Sequence, residues 1–174
     1  MRQFITTLAL CLCTLTTACK RPDPIRLQPT LEEPAALASM IVISDPSTSS
    51  QLLRGFYPLD QPAWRWTAPR FTVALQSPPH ARDNGAWLVL RYTVLEQSIT
   101  TLKKITINAK FGDLAMAPEI VTSAGNREYR RELPASAFTK ESTYADFTVA
   151  PFLKPEGDGR ELALIVTALG LESK

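Results

Sequence analysis

Three stretches in which one set of alternate positions is uniformly apolar constrain this chain more than anything else in it. Phe71, Val73 and Leu75 alternate with Thr72, Ala74 and Gln76, and Leu88, Leu90, Tyr92 and Val94 alternate with Trp87, Val89, Arg91 and Thr93. Ile105, Ile107, Ala109 and Phe111 face one way while Lys104, Thr106, Asn108 and Lys110 face the other. Successive side chains of a strand point to opposite faces, so a period of two predicts strands with one face in a core. A helix would scatter the same residues around its axis.

The punctuation between these runs agrees. Ser77-Pro78-Pro79, Asp83-Asn84-Gly85, Phe111-Gly112-Asp113, Ala124-Gly125-Asn126 and Glu156-Gly157-Asp158-Gly159 are turn sequences, because glycine supplies positive φ and proline fixes φ without an N–H. Ala38 to Ser44 reads as a first strand, ended by Asp45-Pro46-Ser47. Glu161 to Leu171 is apolar on both faces; its β-branched Ile165, Val166 and Thr167 favour a central, doubly covered strand, which Gly170 interrupts near its end. Seven or eight short strands at this spacing predict an all-β fold, a single antiparallel sandwich over residues 38–174.

Residues 1–18 read as an export signal. Arg2 is followed by an apolar core from Phe4 to Leu15 and the small residues Thr16, Thr17 and Ala18, which lead into Cys19. That run is too short for a transmembrane helix, which needs about 20 predominantly apolar residues. The end of it resembles a bacterial lipobox, in which small residues before a cysteine allow lipidation of its sulfur and cleavage in front of it. Thr16 stands where a branched apolar residue usually sits, with Leu15 one position earlier. Cys19 is the lipidation candidate; the alternative is ordinary cleavage after Ala18 that leaves a free thiol. Residues 19–37 contain Pro22, Pro24, Pro29 and Pro34 and predict an extended, lipid-anchored linker.

The densest aromatic segment is Gly55-Phe56-Tyr57-Pro58-Leu59-Asp60 followed by Trp64-Arg65-Trp66-Thr67. Taken with Asp158-Gly159-Arg160-Glu161-Leu162, it resembles an accessory β-sandwich domain of bacterial envelope proteins that is also appended to some glycosyltransferases and methyltransferases. The resemblance covers about Gln51 to Leu171. Asp60 stands where that family usually has Glu, and Ala163 where it has Gly. It implies a jelly-roll-like or galactose-binding-like sandwich and no established activity.

The same residues carry physical expectations of their own. Trp64 and Trp66 share one face of a strand and Arg65 takes the other. The two indoles either pack in the core or stack on sugars, and with Tyr57 they are the candidate ligand-binding residues; the large area an indole buries favours the core. Arg65 and Arg160 are expected to pair with Asp60, Asp158 or Glu161, because guanidinium and carboxylate bond bidentately. The sharper expectation is that Arg160 reaches a carboxylate beneath the Gly55-to-Trp66 segment. That would make Gly55, Asp60, Arg65, Asp158, Arg160 and Glu161 structural residues.

Other chemistries lack their residues. His80 is the sole histidine and lies in a loop, Cys11 and Cys13 fall within the signal, and Cys19 alone cannot form an internal disulfide. No zinc-ligand spacing, nucleophile elbow, phosphate loop or dinucleotide fingerprint occurs, so neither a cofactor nor a metal is expected. Asp60 with Glu119, or Asp113 with Glu119, are the acidic pairs a hydrolase would need, but sequence separation does not place two carboxylates together. Formal net charge is +2 with scattered cations, which predicts no nucleic-acid partner. The expected function is a non-catalytic, lipid-anchored envelope module, with the membrane, envelope proteins and glycans as partners; the alternative is a lectin-like domain using exposed Trp64 and Trp66.

Overall fold

The computed structural model describes residues 36–61 and 63–174. The proposed signal, the lipidation candidate Cys19 and most of the linker lie outside the described residues. Ten strands form among the described residues: β1 (Met40–Val42), β2 (Leu52–Gln61), β3 (Trp64–Gln76), β4 (Ala86–Val94), β5 (Ile105–Phe111), β6 (Leu114–Ala115), β7 (Glu119–Val121), β8 (Gly125–Leu133), β9 (Ser142–Ala150) and β10 (Ile165–Ser173). Every pairing between them is antiparallel. Two short helices, α1 (Ala81–Asn84) and α2 (Glu96–Leu102), join them. The fold is an all-β, sandwich-like curled sheet.

The curl originates in β3, which is 13 residues long. Near its start, Arg65 and Trp66 pair with Val166 and Ile165 of β10; from Arg70 to Gln76 the strand pairs instead with β9. One strand therefore belongs to two layers, β3-β10-β4-β8 and β3-β9-β5 with β6 and β7 beyond it. Strand β2 follows the other edge of β3 through several register shifts, and such bulges bend a strand so that it can stay with a turning partner. Gly55 sits on this path at φ +77°, where a Cβ would lie 2.1 Å from the Arg70 carbonyl oxygen.

The alternating residues meet between the layers. Phe71, Val73 and Leu75 face Leu88, Leu90 and Tyr92, and Ile105 and Ile107 join them, all essentially inaccessible to solvent. Phe71 stacks on Phe147 with ring centroids 4.9 Å apart, and Tyr129 meets Phe147 edge-on. Each such side chain contributes roughly 1.5–3 kcal/mol by leaving water.

The elements differ from the sequence reading in four places. The first strand is shorter than Ala38 to Ser44. Asp83-Asn84-Gly85 is the end of helix α1, closed by the Gly85 N–H on the Ala81 carbonyl at 2.9 Å. Helix α2 was not anticipated: seven residues are too few for a clear helical period, and Ile99 and Leu102, three apart, tuck one side of it against the core. In the last run, Leu162 exchanges backbone bonds with Leu153 and Ala163 bonds to Thr67, so regular pairing starts only at Ile165. It then continues through Gly170 to Ser173. Gly170 does not interrupt this strand; it lets β1 approach, since a Cβ there would lie 2.3 Å from the Ser39 carbonyl oxygen.

Candidate functional site

The aromatic motif and the segment before β10 converge although they are far apart in sequence. The Tyr57 hydroxyl donates to the Glu161 carbonyl and accepts from its N–H, each at 3.2 Å. Trp66, Leu162 and Ile165 form a small second core, with Tyr57, Trp64 and Leu153 packed against it. Trp64 and Trp66 meet edge-on at 6.4 Å. Trp66 is 8% exposed and Trp64 partly buried, so the two indoles hold the layer together and form no open stacking platform.

Of the expected ion pairs, Arg160 with Asp158 forms, whereas the reach from Arg160 to a carboxylate beneath the Gly55-to-Trp66 segment does not. Arg160 grips Asp158, two residues away, through Nε at 2.6 Å and Nη2 at 2.8 Å, and its guanidinium lies 5.6 Å from the centre of the Tyr57 ring. The partner is local because Gly157 and Gly159, at φ +75° and +70°, fold the turn back on itself. The hydrogen bond from Arg160 holds the Asp158 carboxyl below its usual range, and the pair is partly exposed. Among the described residues Arg65 pairs with no carboxylate and its buried Nε has no partner, while its Nη1 donates to the Tyr57 carbonyl at 3.2 Å. Glu161 bonds Lys154 at 2.7 Å. The join between the two chain segments is thus Tyr57 on the Glu161 backbone, and among the described residues no long-range ion pair from Arg160 makes it.

Of the hydrolase candidates, Glu119 is held by structural partners, and Asp113 lies apart in the lining of the hollow at the β5–β6 turn. Glu119 accepts from the buried Tyr92 hydroxyl at 2.7 Å and sits 3.5 Å from Arg131. Arg131 also donates to the carbonyls of Ala117 and Pro118, which ties the segment before β7 to β8. Burial raises the Tyr92 pKa, aided by Glu119, and burial pushes Tyr129 up to about 12. The Arg160 pKa is raised chiefly by its hydrogen bond to Asp158, and the Asp60 charge makes a small further contribution. The His80 side chain is 79% exposed, with Nδ1 4.0 Å from Asp83. Among the described residues, no group of three or more His, Cys, Asp and Glu is placed to hold a metal ion, and no helix is long and apolar enough to cross a membrane.

The outer faces of the two layers differ. On the β10-β4-β8 face, Arg91 bonds both Glu128 and Glu172, and Arg130 bonds Glu172 while covering the Trp87 ring. Those charges satisfy one another. On the outer face of β2, β3, β9 and β5, strand register lines up Arg54, Thr72, Asp146 and Lys110 in one row. The Thr72 hydroxyl donates to Asp146 Oδ1 at 2.6 Å and accepts from Arg54 Nη2 at 2.9 Å. Beside this row Tyr144 is 58% exposed and Leu53 51%. Two hollows, of about 780 and 390 Å³, meet here and share Tyr144 and Asp146.

Sequence reasoning passed over this face. The signal was present in β9, where Ala145, Phe147 and Val149 alternate with Tyr144, Asp146 and Thr148. What the sequence lacks is the bend of β3 that sets β2 and β9 on either side of Thr72. No family model matches the chain, and no curated protein matches it significantly, so the argument for function rests on this geometry.

Proposed function

We propose that this is an exported, non-catalytic binding module, tethered to a bacterial envelope membrane by lipid on Cys19, that works through the outer face of β2, β3, β9 and β5. The observation that carries the reading is the contrast between the two outer faces. Both faces pair their charges, and a hollow of about 410 Å³ lies beside Arg91 and Asn126 on the first, but the second sets an exposed tyrosine beside the Arg54-Thr72-Asp146 network and a larger hollow of about 780 Å³. Small-molecule sites have this character, a hollow with a few oriented polar groups.

The non-catalytic part of the proposal is supported by what the carboxylates do. Glu119, Asp158 and Glu161 each hold a structural partner, and Asp158 is shifted in the direction that suits a permanent anion and not a proton donor. The anchor is supported by the signal-like residues 1–18 and by the proline-rich linker behind Cys19. A bacterial lipoprotein with several acyl chains is held firmly, whereas one chain binds only marginally. The lectin-like alternative built on Trp64 and Trp66 has less support, because Trp66 is buried and Trp64 packs against its edge.

The test is incorporation of radiolabelled palmitate into wild type and Cys19→Ala, with membrane fractionation of both. Label and sedimentation with membranes are expected in wild type only. Equal labelling, or none in either protein, removes the anchor.

A further inference from the structure

We infer that the outer face around Tyr144, Asp146 and Arg54 is a binding site for a neutral oligosaccharide. The inference rests on the binding-module reading and supplies its ligand class. Tyr144 and Asp146 are two apart on β9 and so project from the same face. Thr72 and Arg54 approach Asp146 through Oδ1, and among the described residues Oδ2 has no protein partner. The Arg54 side chain is 67% exposed and directs only Nη2 into these bonds, which leaves its other N–H groups for a ligand. The site thus sets one accessible aromatic ring beside an oriented acceptor and an oriented donor.

A pyranose matches that set. Its C–H face packs on an aromatic ring, and neighbouring hydroxyls donate to a carboxylate and accept from a guanidinium. Each alternative ligand class lacks something the site would need. Leu53, Leu114 and Tyr144 are the large apolar side chains exposed here, few for the core of a stable protein interface, which buries ~800 Å² per partner. A polyanion would meet the Asp146 carboxylate in the middle of the row. The cations Arg54, Lys110 and Lys140 are largely offset by Asp146 and Asp113, and the one formal positive charge that remains, three against two, gives little hold on a polyanion. The larger hollow, about 780 Å³, continues past Tyr144 toward the β5–β6 turn and has room for more than one sugar unit.

The experiment applies the full-length protein in detergent to an array of neutral and acidic oligosaccharides, including β-1,4-linked N-acetylglucosamine oligomers. Retention on neutral members is expected, at least tenfold weaker for Tyr144→Ala and for Asp146→Asn, with melting temperatures unchanged. Asn126→Ala, on the opposite layer, is expected to bind as wild type. No retained oligosaccharide, or Tyr144→Ala binding as wild type, overturns the inference. A photoreactive phenylalanine analogue placed at Tyr144 in cells separates the two levels of the account. Adducts to envelope proteins alone overturn the sugar inference and leave the binding-module reading standing; an empty array and no adduct of any kind remove both.

Discussion

The Tyr57 hydroxyl and the Glu161 backbone exchange two hydrogen bonds across 104 residues of chain. This contact joins β2 to the segment that feeds β10, and it makes Tyr57 the residue on which the second core depends. Leaving a partly buried N–H and C=O unpaired costs about 1–3 kcal/mol. Tyr57→Phe is therefore expected to lower the unfolding free energy by that amount, read as a lower urea midpoint at an unchanged m-value. Arg160→Ala, which removes a local, partly exposed ion pair and a long contact to the Tyr57 ring, is expected to lower the midpoint less than Tyr57→Phe does. A larger loss from Arg160→Ala than from Tyr57→Phe would reverse the assignment.

Gly55 is held where a side chain has no room. Its positive φ and the 2.1 Å separation that a Cβ would have from the Arg70 carbonyl act together. A strained backbone of this kind costs on the order of 1–3 kcal/mol before the clash is added. Gly55→Ala should destabilise the domain by at least that much in urea titration, whereas Gly157→Ala, with nothing within 4 Å of its Cβ, should cost less.

Alkaline pH should weaken the fold through the buried tyrosines. Tyr129 is raised from an ordinary value of 10.0 to about 12, chiefly by burial, and Tyr92 is shifted the same way. Above the unfolded-state value the unfolded chain gives up its phenolic protons while the folded chain keeps them. The contribution is complete below about pH 10 and is lost as pH rises toward about 12. Urea midpoints measured at pH 9, 10 and 11 should fall progressively, and Tyr129→Phe should fall less steeply than wild type. A flat profile would mean that these hydroxyls are not buried in solution.

The parts of the fold legible in sequence are those set by side-chain alternation alone. The core faces of β4, β5 and the second half of β3 could be read residue by residue, since burial of one face imposes a period of two. Helix α2 is too short to declare a period. Arg160 was legible as a paired residue with Asp158 among its candidate partners, but the choice of Asp158 over a more distant carboxylate depended on a glycine turn that brings it within bonding distance. The Tyr144 face was hidden for a different reason. Its groups come from β2, β3 and β9, and only the bend in β3 and the resulting register place them side by side.

The central claim, that the protein binds an envelope component through the outer face of β2, β3, β9 and β5, is tested most directly by hydrogen–deuterium exchange of the full-length protein with and without purified bacterial envelope material. Protection is predicted in peptides that contain Leu53-Arg54 and Ser142 to Asp146, with the β8 peptide from Gly125 to Leu133 unchanged. Protection on β8 alone, or no protection anywhere, would contradict the account.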